Sequence, residues 1–99
     1  MPLRVRRWPQ AKLDQSDIWL SIAEDSVGAA DAVLADLDHI ANLLADYPEA
    51  GPQRTELGPG IRYYPSGSYL VFYSISDHFV EIRRIMHGAR EITASLFDD

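Results

Sequence analysis

Tyr69-Leu70-Val71-Phe72-Tyr73-Ser74-Ile75 is the stretch on which the fold turns. It is nearly all apolar and rich in aromatic and β-branched side chains, which suit the pleated surface of a sheet. A run of this kind reads as a central strand covered on at least one face. Ser76-Asp77-His78 follows as a tight turn. Phe79 to Met86 then alternates, which assigns Val80, Ile82, Arg84 and Met86 to one face and Phe79, Glu81, Arg83 and Ile85 to the other. Upstream, Ile61 to Tyr64 is a short strand and Pro65-Ser66-Gly67 a turn. Three strands joined by short turns make an antiparallel meander.

Residues 48–60 hold Pro48, Gly51, Pro52, Gly58, Pro59 and Gly60, a density of punctuators that makes a loop. Before it, Ala30, Val33, Leu34, Leu37, Ala41 and Leu44 recur at steps of three and four, which predicts a helix from about Ala29 to Asp46, stopped by Tyr47-Pro48. A shorter helix is read over Ala11 to Asp25, with Ile18, Trp19, Ile22 and Ala23 as a narrow apolar stripe. Ser26-Val27-Gly28 is the break between them, short enough to make the pair an antiparallel hairpin. Arg4 to Trp8 is a first strand, with Leu3, Val5 and Arg7 on one face and Arg4, Arg6 and Trp8 on the other; Pro9 ends it. Glu91 to Phe97 adds a last helical turn or two. The expectation is an α+β domain spanning 1–99 in the order β-α-α-β-β-β, with the helical hairpin on one face of an antiparallel sheet. The other sheet face is expected to be partly open to a partner.

Ninety-nine residues make one domain with a modest core. There is no cysteine, so disulfides and thiolate metal sites are excluded. The N-terminus has no apolar stretch after its charges, and no run approaches the length of a membrane span, so a cytoplasmic location is expected. The net charge of −6 is uneven. Residues 1–10 carry three arginines and no acid; residues 11–56 carry ten acids against Lys12 and Arg54, a balance of −8. Nucleic-acid binders normally show the opposite excess.

No metal cluster is expected. His39, His78 and His87 are scattered, and Asp36-Leu37-Asp38-His39 lies on a helix whose neighbouring residues point to different faces. There is no nucleophile motif, and Gly58-Pro59-Gly60 precedes no helix that would make it a phosphate cradle. The segment Arg83-Arg84-Ile85-Met86-His87-Gly88-Ala89-Arg90-Glu91 crowds three arginines and a histidine at a strand end. Arginine and histidine together can bind phosphate and move a proton. The competing reading has Arg84 and Arg90 paired with acids such as Glu91 and Glu56, tying the C-terminus down. Trp19 reads as core packing or as a binding anchor, and the tyrosines Tyr63, Tyr64, Tyr69 and Tyr73 as sheet residues.

Several of these segments, in order, resemble the ParE toxins of the ParE/RelE superfamily. They are Ala11-Lys12 with Asp17-Ile18-Trp19, Pro48-Glu49-Ala50-Gly51, Leu57 with two glycines and Ile61-Arg62, and Gly67-Ser68-Tyr69-Leu70-Val71-Phe72-Tyr73. The sharpest is Glu81 to Glu91, which is similar to the family's closing RVLHGRRD pattern. Gln15 stands where the family usually has a leucine, with Leu13 expected to take over its packing, and Glu91 replaces the usual Asp.

The resemblance implies the toxin of a type II toxin–antitoxin system that inhibits DNA gyrase and is held by a ParD-like ribbon-helix-helix antitoxin in a hetero-oligomeric complex. It implies no cofactor, no direct nucleic-acid contact and no catalytic residue. Arg62, Arg83 and His87, expected by alternation on the open sheet face, are the candidates for target contact, and Arg84 and Arg90 for structure or toxicity. Trp19, Asp36, Leu43 and Tyr47 are its candidates for the antitoxin, expected across the hairpin and the sheet edge. Two alternatives stand beside it. One is a RelE-like, ribosome-dependent mRNA interferase, which this chain matches at Arg62 and His87 but not at the tyrosine that often follows that histidine, where it has Gly88. The other is a non-toxic member that only binds antitoxin.

Overall fold

The structure, a computed structural model, describes residues 2–98. Its elements are β1 (Arg4–Arg7), α1 (Pro9–Ala23), α2 (Val27–Asp46), a 3₁₀ turn (Thr55–Leu57), β2 (Arg62–Ser66), β3 (Tyr69–Ile75), β4 (Phe79–His87) and a second 3₁₀ turn (Ala94–Phe97). The order is the expected one. Helix α1 begins two residues earlier than the periodicity predicted because Pro9, which ends the strand, also suits the first helical position. Gly28 lies inside α2; the break falls before it, and Ser26 caps the helix by accepting from the Ala29 amide at 3.1 Å.

The four strands lie in the order β1-β4-β3-β2. The β2-β3-β4 meander is antiparallel, and β1 joins its β4 edge in parallel, as a strand returning through a helical hairpin can. Gly67, at φ +58, sits in the two-residue turn between Ser66 and Tyr69, where L side chains are disfavoured. The hairpin covers one sheet face. Val71, Tyr73, Val80, Ile82 and Ile85 pack there against Ala11, Leu37, Ala41 and Leu44.

Two expectations are corrected. Alternation along β4 fails after Ile82, because Tyr73 pairs with Ile82 while Phe72 pairs with Arg84, leaving Arg83 as an inserted bulge residue. Ile85 therefore faces the hairpin with Val80 and Ile82, and Met86 faces the other way. The outer sheet face is also less open than expected. Phe97 from the second 3₁₀ turn and Leu57 from the first cover Phe72, Met86 and Ile61 as a second apolar cluster, with the Phe97 and Phe72 rings edge to face at 5.2 Å.

Candidate functional site

The outer surface of the hairpin is acidic and grooved. Trp19 lies half-buried on it and donates its indole N–H to Asp31 at 2.9 Å. With Lys12, Gln15, Ser16, Leu20 and Leu34 it lines a shallow groove of about 540 Å³. Leu13 and Leu20 are more than half exposed. Leu13 thus does not take over the packing of Gln15, whose side chain instead accepts from Arg7 at 2.8 Å. The apolar stripe of α1 is set by Ala11 and Ile18, with Trp19 beside it. At the far end of α2, Tyr47 is 67% exposed and joins Pro48, Ala50 and Ile75 around a second groove flanked by Asp46 and Glu49. Asp36 is exposed between the two, and Leu43 is half-buried against the core.

The arginine-rich end of β4 is organised by a residue the sequence reading did not single out. Asp14, buried on α1, accepts from Arg84 through both carboxylate oxygens, at 2.8 and 2.9 Å, and from the Ile85 amide at 2.9 Å. Strand β1 ends opposite Ile82, so the β4 edge beyond it has lost its strand partner. Asp14 takes up that freed backbone donor. Arg84 also donates to the Leu96 carbonyl at 2.8 Å. Arg84 thus bridges α1 and the C-terminal segment, and its acid partner is Asp14, not Glu56 or Glu91; Glu56 pairs with Arg54. The carboxylate beside it raises the Arg84 pKa further above its ordinary value.

The other candidates are dispersed. Arg62 lies on β2 opposite Tyr73 and donates to the Gly51 carbonyl at 2.7 Å, bracing the 48–51 turn. His87 stands at the other end of the sheet, opposite Tyr69, exposed, with its Nδ1 accepting from the Ala89 amide at 3.0 Å. Four residues of strand separate the Arg62 and His87 rows, on the order of 13 Å. Arg83 lies on the opposite sheet face, its guanidinium 3.7 Å from the centre of the Trp8 ring. Arg90 is exposed and shares a polar groove with Asp14, Asp17, Tyr69 and His87.

On the same outer face, buried Glu81 accepts from Arg6 through both oxygens, from the Trp8 indole at 3.2 Å and from Ser76 at 3.0 Å. These donors, Arg6 first, hold its pKa down at about 2. Among the described residues, no group of three or more histidine, aspartate or glutamate side chains is placed to hold a metal ion, and no helix is long and apolar enough to cross a membrane.

A two-helix hairpin on a four-stranded sheet, with apolar grooves set in an acidic outer surface, defines a small α+β domain equipped to hold another protein. Residues 5–92 match the family described as the ParE toxin of the type II toxin–antitoxin system parDE, and the chain belongs to that family. It is 33% identical over 97 residues to Toxin ParE1 of Caulobacter vibrioides, covering 96% of this chain and 97% of that one. It is 28% identical over 94 residues to Toxin ParE3 of the same organism, covering 94% of each. Among solved structures it is similar to the chromosomal ParDE system from P. aeruginosa, at a TM-score of 0.73 and 16% identity, covering 86% of this chain and 95% of that one. It is also similar to the toxin–antitoxin complex RelBE2 from Mycobacterium tuberculosis, at a TM-score of 0.63 and 26% identity, covering 88% and 99%.

Proposed function

We propose that this protein is a single-domain cytoplasmic toxin that arrests growth by binding and inhibiting DNA gyrase, and that a ParD-like ribbon-helix-helix antitoxin neutralises it by lying across the acidic hairpin. The observation that carries the reading is the dispersal of Arg62, Arg83 and His87 over the fold. Phosphodiester cleavage needs an acid, a base and phosphate ligands within hydrogen-bond reach of one substrate. Here Arg62 is engaged with backbone carbonyls, His87 lies at the far end of the sheet, and Arg83 is on the opposite face. Inhibition by binding needs only a complementary surface of about 800 Å² per partner.

The antitoxin half of the reading is supported by the ParDE and RelBE2 likenesses and by the grooves at Trp19, whose indole Asp31 holds, and at Tyr47, which Asp46 and Glu49 flank. A segment with apolar anchors and basic residues between them is their complement. The RelBE2 likeness, at 26% identity, also favours a second reading, ribosome-dependent mRNA cleavage. Two assays on one antitoxin-free preparation decide. Loss of gyrase supercoiling with intact mRNA on translating ribosomes is expected. Codon-specific mRNA cuts with unaffected gyrase would replace the first reading with the second. Silence in both, with antitoxin binding retained, would make the protein a binder only.

A further inference from the structure

The Trp19 groove on the outer hairpin is oppositely charged at its two ends. Lys12 is the single lysine of the chain, and no lysine or arginine occurs between residues 13 and 53. It stands exposed on the groove wall near the start of α1, about 12 Å along the helix from Leu20 on the same wall. Among the described residues its ammonium has no ion-pair partner. Arg7 and Asp38, the other charges at this end, are paired with each other. Lys12 therefore leaves the end at +1. At the other end Asp31 holds the Trp19 indole, and Glu24 and Asp25 are exposed in the turn between the helices. Glu24 lies one turn beyond Leu20, and none of these three acids is in an ion pair among the described residues, so this end stands at −3. Trp19, Leu20 and Leu34 line the space between.

We propose that this groove takes one amphipathic helix of the antitoxin, and that it selects a helix with opposite charges at its two ends. A carboxylate lies over Lys12, apolar side chains rest on Trp19, Leu20 and Leu34, and a basic residue lies over Glu24, Asp25 and Asp31. The proposal rests on the antitoxin reading above and adds a selection rule to it. A segment that is basic throughout suits the hairpin as a whole, yet it sets a like charge against the one cation of the groove. Like charges facing each other reject a wrong partner, so Lys12 is the residue that sets specificity. A helix is the fitting shape because two helices form the walls, and apolar residues at i, i+3 and i+7 reach along such a groove. A second copy of this chain fits less well. Its Lys12 could meet the acidic end, but the same docking sets two hairpins face to face, each with a balance of −8 over residues 11–56.

Three synthetic helical peptides test the rule. Each carries leucines at i, i+3 and i+7 with a lysine beyond one end of that row. Beyond the other end stands glutamate, glutamine or lysine. Binding is read on the Trp19 indole N–H resonance of the full chain. At low salt the glutamate peptide should bind about fivefold more tightly than the glutamine peptide, as an exposed ion pair allows. The lysine peptide should bind weakest, although the net charge of −6 on the whole chain attracts it most. Lys12→Glu, at an exposed site, should melt within a few degrees of wild type and reverse the order. An order that follows total positive charge on the wild type would overturn the proposal, as would an order that survives Lys12→Glu. An indole resonance that none of the peptides moves would also overturn it. With the ribbon-helix-helix antitoxin itself, Lys12→Glu should weaken binding by about fivefold. Full-strength binding there would overturn the proposal and leave the antitoxin reading intact. An antitoxin that fails to bind the wild type would remove that reading, and the peptide order would still decide the groove. Sedimentation of the free protein covers the remaining occupant. A dimer that Lys12→Glu dissociates would give the groove to a second copy and overturn the assignment; a monomer supports it.

Discussion

Asp14 shows how one side chain can hold a junction together. It takes two bonds from Arg84 and one from the Ile85 amide, and both side chains are nearly closed to solvent. Removing one partner of such a pair strands the other, which costs more than the pair contributes. Arg84→Ala is therefore expected to destabilise by about 3 kcal/mol and to lower the melting temperature by more than 10 °C. An unchanged melting temperature with lost toxicity would make Arg84 a target contact instead. The sequence held a signal for Asp14 that its polarity hides: Ala11, Asp14 and Ile18 fall at i, i+3 and i+7, so the carboxylate lies on the buried stripe. Glu81 supplies the pH dependence. Its folded pKa, about 2, is below the ordinary value of 4.5, so the folded state favours the ionised form. Its contribution is fully present above about 4.5 and is lost as pH falls toward 2. Melting temperature measured from pH 6 to pH 2 should fall through that window, and Glu81→Gln should flatten the fall. An identical acid profile in the variant would assign the transition to other carboxylates.

At the scale of elements, the loop before β2 is fixed by a clamp that composition alone does not reveal. The Tyr73 hydroxyl, inside the core, donates to the Pro48 carbonyl at 2.7 Å and accepts from the Gly51 amide at 2.9 Å. Burial raises the pKa of that hydroxyl, which keeps it protonated as a donor. A Cβ at Gly51 would lie 2.1 Å from the Tyr63 carbonyl oxygen, so the glycine is required by close approach of backbone. Gly51→Ala should cost about 2–3 kcal/mol in urea denaturation, in the range of overpacked sites. Tyr73→Phe, which leaves two buried backbone groups unpaired, should cost about 1–3 kcal/mol; a neutral Tyr73→Phe would mean water replaces the hydroxyl. These elements were legible to different depths for physical reasons. Helix α2 could be read directly because six apolar residues repeat at its period. The β4 faces could not, since a bulge is one extra residue in an otherwise regular alternation and nothing in Ile82-Arg83-Arg84-Ile85 marks it. The cover over the outer sheet face was hidden for a similar reason: Phe97 reaches Phe72 across the fold, and no local pattern encodes a contact between residues so far apart in sequence.

Across the whole molecule the charges are sorted by face. The hairpin and its flanking loop hold ten acids against Lys12 and Arg54, while the β1–β4 edge holds Arg4, Arg6, Arg83 and Arg84 against Glu81. Arg7 links the two, paired across to Asp38 at 2.8 Å. Sorting of this kind acts at a distance, because exposed charges focus a field that attracts the complementary partner before contact. Arg62, Arg83 and His87, taken together as candidates for target contact, do not lie on one surface. Residues read as neighbours along a strand are separated once a bulge and a register assign them to different faces and rows. The acidic hairpin leads to a kinetic expectation. The Debye length shrinks from about 30 Å at 0.01 M salt to about 8 Å at 0.15 M, so steering toward an exposed acidic surface is largely screened at the higher value. Under the proposed antitoxin reading, burial of the apolar grooves at Trp19 and Tyr47 would not be screened and would set how slowly the complex comes apart. Association of the antitoxin should therefore slow by about tenfold or more between those salt concentrations, with dissociation nearly constant. Asp36→Lys, which reverses an exposed acid between the two grooves, should lower the low-salt on-rate and leave the high-salt rate nearly unchanged. Stopped-flow mixing of toxin and antitoxin across a salt series measures both rates. An on-rate independent of salt would place the antitoxin's first contact somewhere other than the acidic hairpin.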